Sequence, residues 1–430
     1  MSRRAHKSSQ NLIERLPSHI LIKVLSYLDA AALFTVGHVS RLLHQFASDN
    51  SLWYKRYIAE FGETEELKLE YTEVPDRAAG HWKQRYFRSL AARDLRKWKR
   101  RLQRVSCHTG LPADTELVLR NLHVTWELTV CDGSGQNTVH GLSWARFCGT
   151  CVTVCWSGGG LLPDLQQISS LRLHGVRRPL RRPGLELPSS RSFMEEVLLS
   201  KSLQLIGEDR LVELWLLQPG VTIGLWKDKR SVAFFMFTLH FHKLVERSVH
   251  GSPLCPYNEP TLKAPFDDTD PEYGLHGYQL HFVLHDTVSE LMSGSYSKLF
   301  CSKAQISDGL VRLTAVSSTN LGQHTPLSGT VALPWRCEAL RAAVQNCCVM
   351  SLTLLDEFGQ PFWCVSSPVS MAPSQAPVCY DYAGEHFLAQ CEDSGGKVEM
   401  QLAQTGEQTF VLVSLVVFVA VGKLNRHFGR

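Results

Sequence analysis

The sequence predicts an α+β multidomain chain: a small helical unit, a connecting helix, and a large β-sandwich or jelly-roll-like domain. Three observations predict it. Apolar residues recur at helical spacing between 16 and 53. Eleven Lys or Arg stand against one acid, Asp94, between 77 and 104. Beyond about Cys107 the pattern changes to short alternating or β-branched runs divided by turn residues. The expected organisation is a flexible tail over 1–10, the helical unit over 11–57, a linker with the basic helix over 58–106, and a non-repeat β-rich domain over 107–430. At 430 residues, 44% hydrophobic and 20% charged, the chain is long and apolar enough for two or three folded domains.

The first helix opens at Leu16-Pro17, because a proline at the start of a helix loses no hydrogen bond. Ile20, Leu21, Val24, Leu25 and Leu28 then share one wide face. Asp29 suits the cap of a second helix over 30–36, with Gly37 to end it. Val39, Leu42, Leu43 and Phe46 mark one face of a third helix, and the apolar run closes at Leu52-Trp53. Three helices in about forty residues cannot bury that much hydrocarbon among themselves. Some of it requires a partner.

The elements Leu16-Pro17, Ile20-Leu21, Val24-Leu25-Ser26-Tyr27-Leu28, Leu33, Val36, Val39-Ser40-Arg41 and Leu52-Trp53 together resemble the F-box family. The resemblance implies three helices that dock on the Skp adaptor (S-phase kinase-associated protein), which in turn holds a cullin and a RING protein. It implies an adaptor-binding set of Leu16, Pro17, Ile20, Leu21, Val24, Leu25, Leu28, Val39, Leu42 and Trp53. Two positions depart from the pattern: His19 stands where an acid is usual, and Leu42-Leu43 replaces a polar-aromatic pair. Neither change removes an apolar anchor. The implied function is that of a non-catalytic substrate receptor of an SCF-type ubiquitin ligase. A protein substrate would sit on the β domain, no cofactor is needed, and the setting is cytoplasmic or nuclear.

The basic stretch reads as one long helix after Pro75-Asp76, with Trp82, Tyr86, Leu90, Trp98 and Leu102 in helical register. Basic residues with aromatics raise nucleic-acid binding as an alternative. The simpler reading is a solvated connector whose aromatic row packs on a neighbouring domain, with Lys and Arg stems covering hydrocarbon. A second basic patch, 177–183, is broken by prolines and reads as a surface loop.

In the β half, strands are expected over 124–130, 151–156, 211–217, 221–226, 232–242, 278–284, 310–316, 329–333, 349–355, 361–366, 398–402 and 410–421. Asp132-Gly133-Ser134-Gly135, Gln218-Pro219-Gly220 and 356–360 supply turns. Helical connections are expected at 193–199 and 337–344. The proline-bearing stretch 251–274 reads as a long irregular loop. The run Phe410 to Val421 is strongly apolar but falls short of the about 20 residues a membrane helix needs, so no membrane insertion is expected. No period of the kind that builds propellers or horseshoes emerges.

Chemistry of its own is sparse in this half. His240-Phe241-His242 with Glu246 is the best metal candidate, as two histidines two apart on a strand share a face. No second half supplies further ligands, and two partly buried histidines are the simpler reading. A metal-binding jelly roll therefore stays as an alternative function. Cys148-x-x-Cys151 has no second pair at zinc spacing, and His281 and His285 lack an acidic motif beside them. The 13 cysteines, in a chain whose start lacks a secretory apolar segment, read as mostly reduced buried thiols. No nucleophile elbow or phosphate loop occurs, which argues against a hydrolase or kinase.

Overall fold

The computed structural model describes residues 16–62 and 80–428, apart from 38, 158–161, 178–189, 200–202, 229–230, 252–256, 258–272, 276, 298, 300, 330, 332, 339–340, 342, 375–378, 380 and 407–408. The expected tail over 1–10, the proline-broken patch after Arg177 and most of the loop over 251–274 lie outside these residues. The chain divides between Trp98 and Lys99 into two compact units.

The helical unit contains α1 (Ser18–Leu25), α2 (Ala30–Val36), α3 (Arg41–Ala47), α4 (Asn50–Phe61) and most of α5 (His81–Leu102). Capping side chains define the starts. Asp29 Oδ1 accepts from the Ala32 N–H at 2.7 Å, Ser40 Oγ from Leu43 N–H at 3.2 Å, and Asp49 Oδ1 from Ser51 N–H at 2.8 Å. Pro17 holds the cap position of α1, one residue before the first turn. The fourth helix continues eight residues past Trp53, and Tyr54, Tyr57, Ile58 and Phe61 of that extension pack in or on the core.

The interior of this unit is made by Leu25, Leu33, Ala47, Leu52, Trp53 and Tyr57 together with Trp82 and Tyr86 of α5. Trp53 Nε1–H donates to the Ala47 carbonyl at 2.6 Å, so its one polar atom is satisfied where it is fully buried. The Trp82 ring lies 4.7 Å from Tyr54 and 5.4 Å from Tyr57, and Tyr86 lies 5.4 Å from Trp53. The aromatic row of the basic helix therefore packs on the helical unit itself. The start of the helix falls at His81 rather than just after Pro75-Asp76.

The second unit is built from antiparallel sheets. One four-stranded sheet orders Asn137–Gly141, Val124–Asp132, Ile168–Arg177 and Ser190–Leu198. A six-stranded sheet orders Trp144–Phe147, Cys151–Ser157, Val232–His240, Val221–Trp226, Val212–Gln218 and Gln204–Glu208. A second four-stranded sheet orders Glu290–Tyr296, Gln279–His285, Val349–Leu355 and Pro361–Pro368. The largest sheet has Thr409–Ala420 at its centre, between Leu310–Val316 and Gly396–Gly406. The apolar run near the carboxyl end is thus one buried strand. The last two sheets form a sandwich around Phe282, Leu284, Leu352, Leu354, Trp363 and Val417.

Turn chemistry works as the sequence predicts. Asp132 Oδ1 accepts from the Ser134 and Gln136 N–H groups, and Asp356 Oδ1 does the same for Phe358 and Gln360. Gly220 has φ +80°, and a Cβ there would approach the Thr238 and Ser366 carbonyl oxygens to 2.8 and 3.0 Å. Only glycine fits that hairpin.

Four local expectations are corrected. Residues 193–199 lie mostly in the strand Ser190–Leu198, because pairing with Ile168–Arg177 outweighs the helical propensity of Met194-Glu195-Glu196. Residues 337–344 form a hairpin of Arg336–Glu338 with Ala343–Gln345 instead of a helix. Of 329–333, the described residues Gly329, Val331 and Leu333 are not in a strand, and Val331 enters the sandwich core. The strand from Val232 ends at His240, and His242 lies beyond it. Short helices α6 (Thr115–Asn121), α7 (Leu244–His250) and α8 (Val421–His427) complete the unit.

Candidate functional site

Helix α1 carries apolar side chains on two stripes. Leu21 and Leu25 point inward and are 4% exposed. Ile20 and Val24, with Tyr27 just past the helix, recur every three or four residues and stay 39%, 53% and 75% exposed. Leu16 just ahead of the helix is 42% exposed, Phe34 on α2 39%, and Val39 between α2 and α3 71%. Ile20, Val24 and Tyr27 form an aligned exposed apolar series, whereas single scattered apolar residues are ordinary. Cations border it. Lys23 Nζ sits 5.6 Å above the Tyr27 ring, and Lys83 Nζ sits 5.4 Å above Phe34.

Of the residues implied by the sequence resemblance, Leu16, Pro17, Ile20, Val24 and Val39 are exposed, and Leu28 and Leu42 are half-buried. Leu21, Leu25 and Trp53 are interior. The helix period alone could not separate these groups, because a five-residue face spans both stripes.

Residues 13–59 match the F-box-like family model. Over nearly the full length, the chain is similar to proteins called F-box only protein 15. It is 35% identical to that of Macaca fascicularis, over 96% of this chain and 99% of the relative. The Bos taurus protein is 34% identical over 97% and 93%, and the Homo sapiens protein 33% identical over 97% and 85%. The chain belongs to the F-box only protein 15 family.

In this F-box protein the first turns of the basic helix serve the fold. Lys83 is buried, its Nζ donates to Ser48 Oγ at 3.3 Å, and burial lowers its pKa. The Arg85 guanidinium lies over the Tyr57 and Trp82 rings at 5.5 and 5.4 Å. Lys83 and Arg85 thus make contacts within the helical unit. Farther along, the Arg100 and Arg104 side chains are exposed.

The expected metal candidates do not assemble. His240 Nδ1 accepts from the His242 N–H at 3.0 Å, which leaves Nε2–H to donate to Thr353 Oγ1, also at 3.0 Å. Both ring nitrogens are occupied, and burial drives the imidazole pKa down to about 3. Glu246 lies on α7, past the end of the strand. Among the described residues, the group whose ligand atoms do converge is Cys148, Cys151 and His285, all within 4.8 Å of one another. Each of the three stands out in the sequence, but nothing there joins them, since Cys151 and His285 are 134 positions apart. The Cys148 thiol is pulled down to about 5 by its hydrogen bond with Cys151, with help from His285 and Arg146, while that same bond and burial push Cys151 up. No helix among the described residues is long and apolar enough to cross a membrane.

Proposed function

We propose that this chain is the substrate-recruiting subunit of an SCF-type ubiquitin ligase. The aligned exposed residues Leu16, Ile20, Val24, Tyr27 and Val39, on a unit matched to the F-box-like model, carry the reading. They form the surface for the Skp adaptor, and through it for a cullin and a RING protein. Leu21, Leu25 and Trp53 support that surface from within. The β-rich unit holds a protein substrate. The chain itself performs no catalysis: keeping a substrate lysine beside a charged ubiquitin carrier raises their effective concentration, and the chemistry belongs to the partners.

These residues supply part of the affinity. Burying a whole aliphatic side chain contributes about 1.5–3 kcal/mol. Ile20 and Val24 have roughly half of that left to gain, and with Leu16 the set contributes about 2–4 kcal/mol before association costs. The test is co-purification of the full chain with the adaptor, wild type against Ile20→Asp/Val24→Asp. Loss of capture in a variant with an unchanged circular dichroism spectrum and melting temperature supports the reading. Equal capture of both would overturn it. Against the metal-binding jelly-roll alternative, both ring nitrogens of His240 are engaged in hydrogen bonds.

A further inference from the structure

The six-stranded sheet and the four-stranded sheet of the sandwich face each other across a layer that changes character along its length. At one end the six-stranded sheet is covered instead by Trp335 and Val344, outside both sheets, which pack on Cys155, Leu214, Phe234 and Met236. At the other the layer is polar. His240 meets Thr353, Gly220 N–H donates to Ser367 Oγ at 3.1 Å, and Cys151 meets His285. In the strand Gln279–His285, the alternate residues Leu280, Phe282 and Leu284 enter the sandwich core, which turns His281 and His285 to the opposite face. Cys151 begins the strand that pairs with Val232–His240 and lies across from His240 itself.

His285 is oriented as a ligand. Its Nδ1–H donates to the Asp286 carbonyl at 2.7 Å, which fixes the neutral tautomer and leaves the Nε2 lone pair facing the sulfurs. Cys151 Sγ lies 3.4 Å from Nε2. For zinc–sulfur and zinc–nitrogen bonds of about 2.3 and 2.0–2.1 Å, a tetrahedral S–N edge is about 3.5 Å. Cys148 is brought over the pair by a tight turn in which its N–H donates to the Cys151 carbonyl at 2.8 Å. Cys151 and His285 are 0% and 3% exposed, and Cys148 is half-buried. Two thiolates and one imidazole match the softness and geometry that zinc prefers. Three protein ligands leave a fourth position on the Cys148 side, the more open one. The Arg146 guanidinium, held on the Thr287 carbonyl, lies beside the group, so the thiolate pair must neutralise the ion.

We propose that Cys148, Cys151 and His285 bind a single zinc-type divalent cation that clamps the two facing sheets of the β-rich unit. The ligands come from both sheets, so the bound ion stabilises their packing by binding only the folded arrangement. Neither the family's F-box nor adaptor docking is involved.

Cobalt(II) titration of the full-length chain, purified and kept reduced, tests this directly. Tetrahedral thiolate coordination produces visible d–d bands and a near-ultraviolet sulfur-to-cobalt band. The expected result is one Co²⁺ per chain, displaced by Zn²⁺, with the sulfur band unchanged in Cys107→Ser and lost in Cys148→Ser and Cys151→Ser. His285→Gln should weaken binding at least tenfold. Because His285 is buried and its variant can misfold, Cys148→Ser at the half-buried position is the decisive comparison. Chelation should lower the melting temperature of the wild type and leave that of Cys148→Ser unmoved. The proposal is overturned if the reduced wild type takes up no Co²⁺, if the band persists in Cys148→Ser/Cys151→Ser, or if the two cysteines prove to be a disulfide pair that stays metal-free after reduction.

Discussion

Removing the Trp82 side chain isolates the contribution of the basic helix to the F-box unit. Trp82 is 7% exposed and packs edge-on to Tyr54 and obliquely to Tyr57, while its backbone N–H donates to Asn50 Oδ1 at 3.2 Å. Trp82→Ala keeps the backbone bond and vacates the space between α4 and α5. Buried Trp-to-Ala changes cost about 3–5 kcal/mol, the ring pairs included. At about 1.4 kcal/mol per factor of ten, that is an increase of roughly 10² to 4 × 10³ in local opening. It is bounded above by the stability of the unit itself. Hydrogen exchange of the full chain, read on peptides from α3 and α4, measures it. The amides there should exchange faster by that factor, whereas Arg100→Ala, at an exposed site on the same helix, should leave them unchanged. If exchange in α3 and α4 stays at the wild-type rate and only α5 loosens, α5 is a passive connector and the core assignment fails.

Three further outcomes follow from single residues. His240 is held near a pKa of about 3 by burial against an unfolded value of about 6.5, so its neutral form is the folded one. Its contribution to stability is complete above about pH 6.5 and is lost as pH falls toward about 3, at up to about 1.4 kcal/mol per pH unit. Urea melts of His240→Gln should show a flatter acid limb than wild type, and parallel limbs would contradict the burial argument. Gly175→Ala would put a Cβ 2.3 Å from the Ser248 carbonyl oxygen, so the strand and α7 must separate. A loss of about 1–3 kcal/mol in the urea midpoint is expected, and a neutral result would show that α7 yields freely. Asp29→Ala deletes the 2.7 Å cap on α2 and should cost about 1 kcal/mol, visible as faster exchange in α2 with α4 unaffected.

Features legible in the sequence are those decided by neighbours along the chain. Asp29 and Gly37 bracket α2 because a capping carboxylate and a helix end need only local partners. Val221–Trp226 is bounded as expected because Pro219-Gly220 turns the chain just before it. The misread stretches are those where a distant strand decides. Phe193-Met194-Glu195-Glu196-Val197-Leu198 has helical composition, but Leu171 and Arg172 lie opposite Val197 and Glu196 and supply the ladder.

The candidate adaptor surface shows the same division within a single helix. The sequence defines the width of the apolar face of α1, and width alone cannot say which half the protein fills for itself. Trp53 from α4, with Trp82 and Tyr86 from α5, completes the core that takes in Leu25, and Ile20 and Val24 are left outside it. Residue Trp82 lies more than fifty positions after α1, so no local pattern around 16–28 could reveal the split. The cysteine–histidine group is the extreme case. A Cys-x-x-Cys turn with no second pair is uninformative until a strand 134 positions later turns His285 away from its own core and toward the sulfurs. Sheet alternation predicts that His281 and His285 share a face; only the packing of one sheet on another says what that face meets.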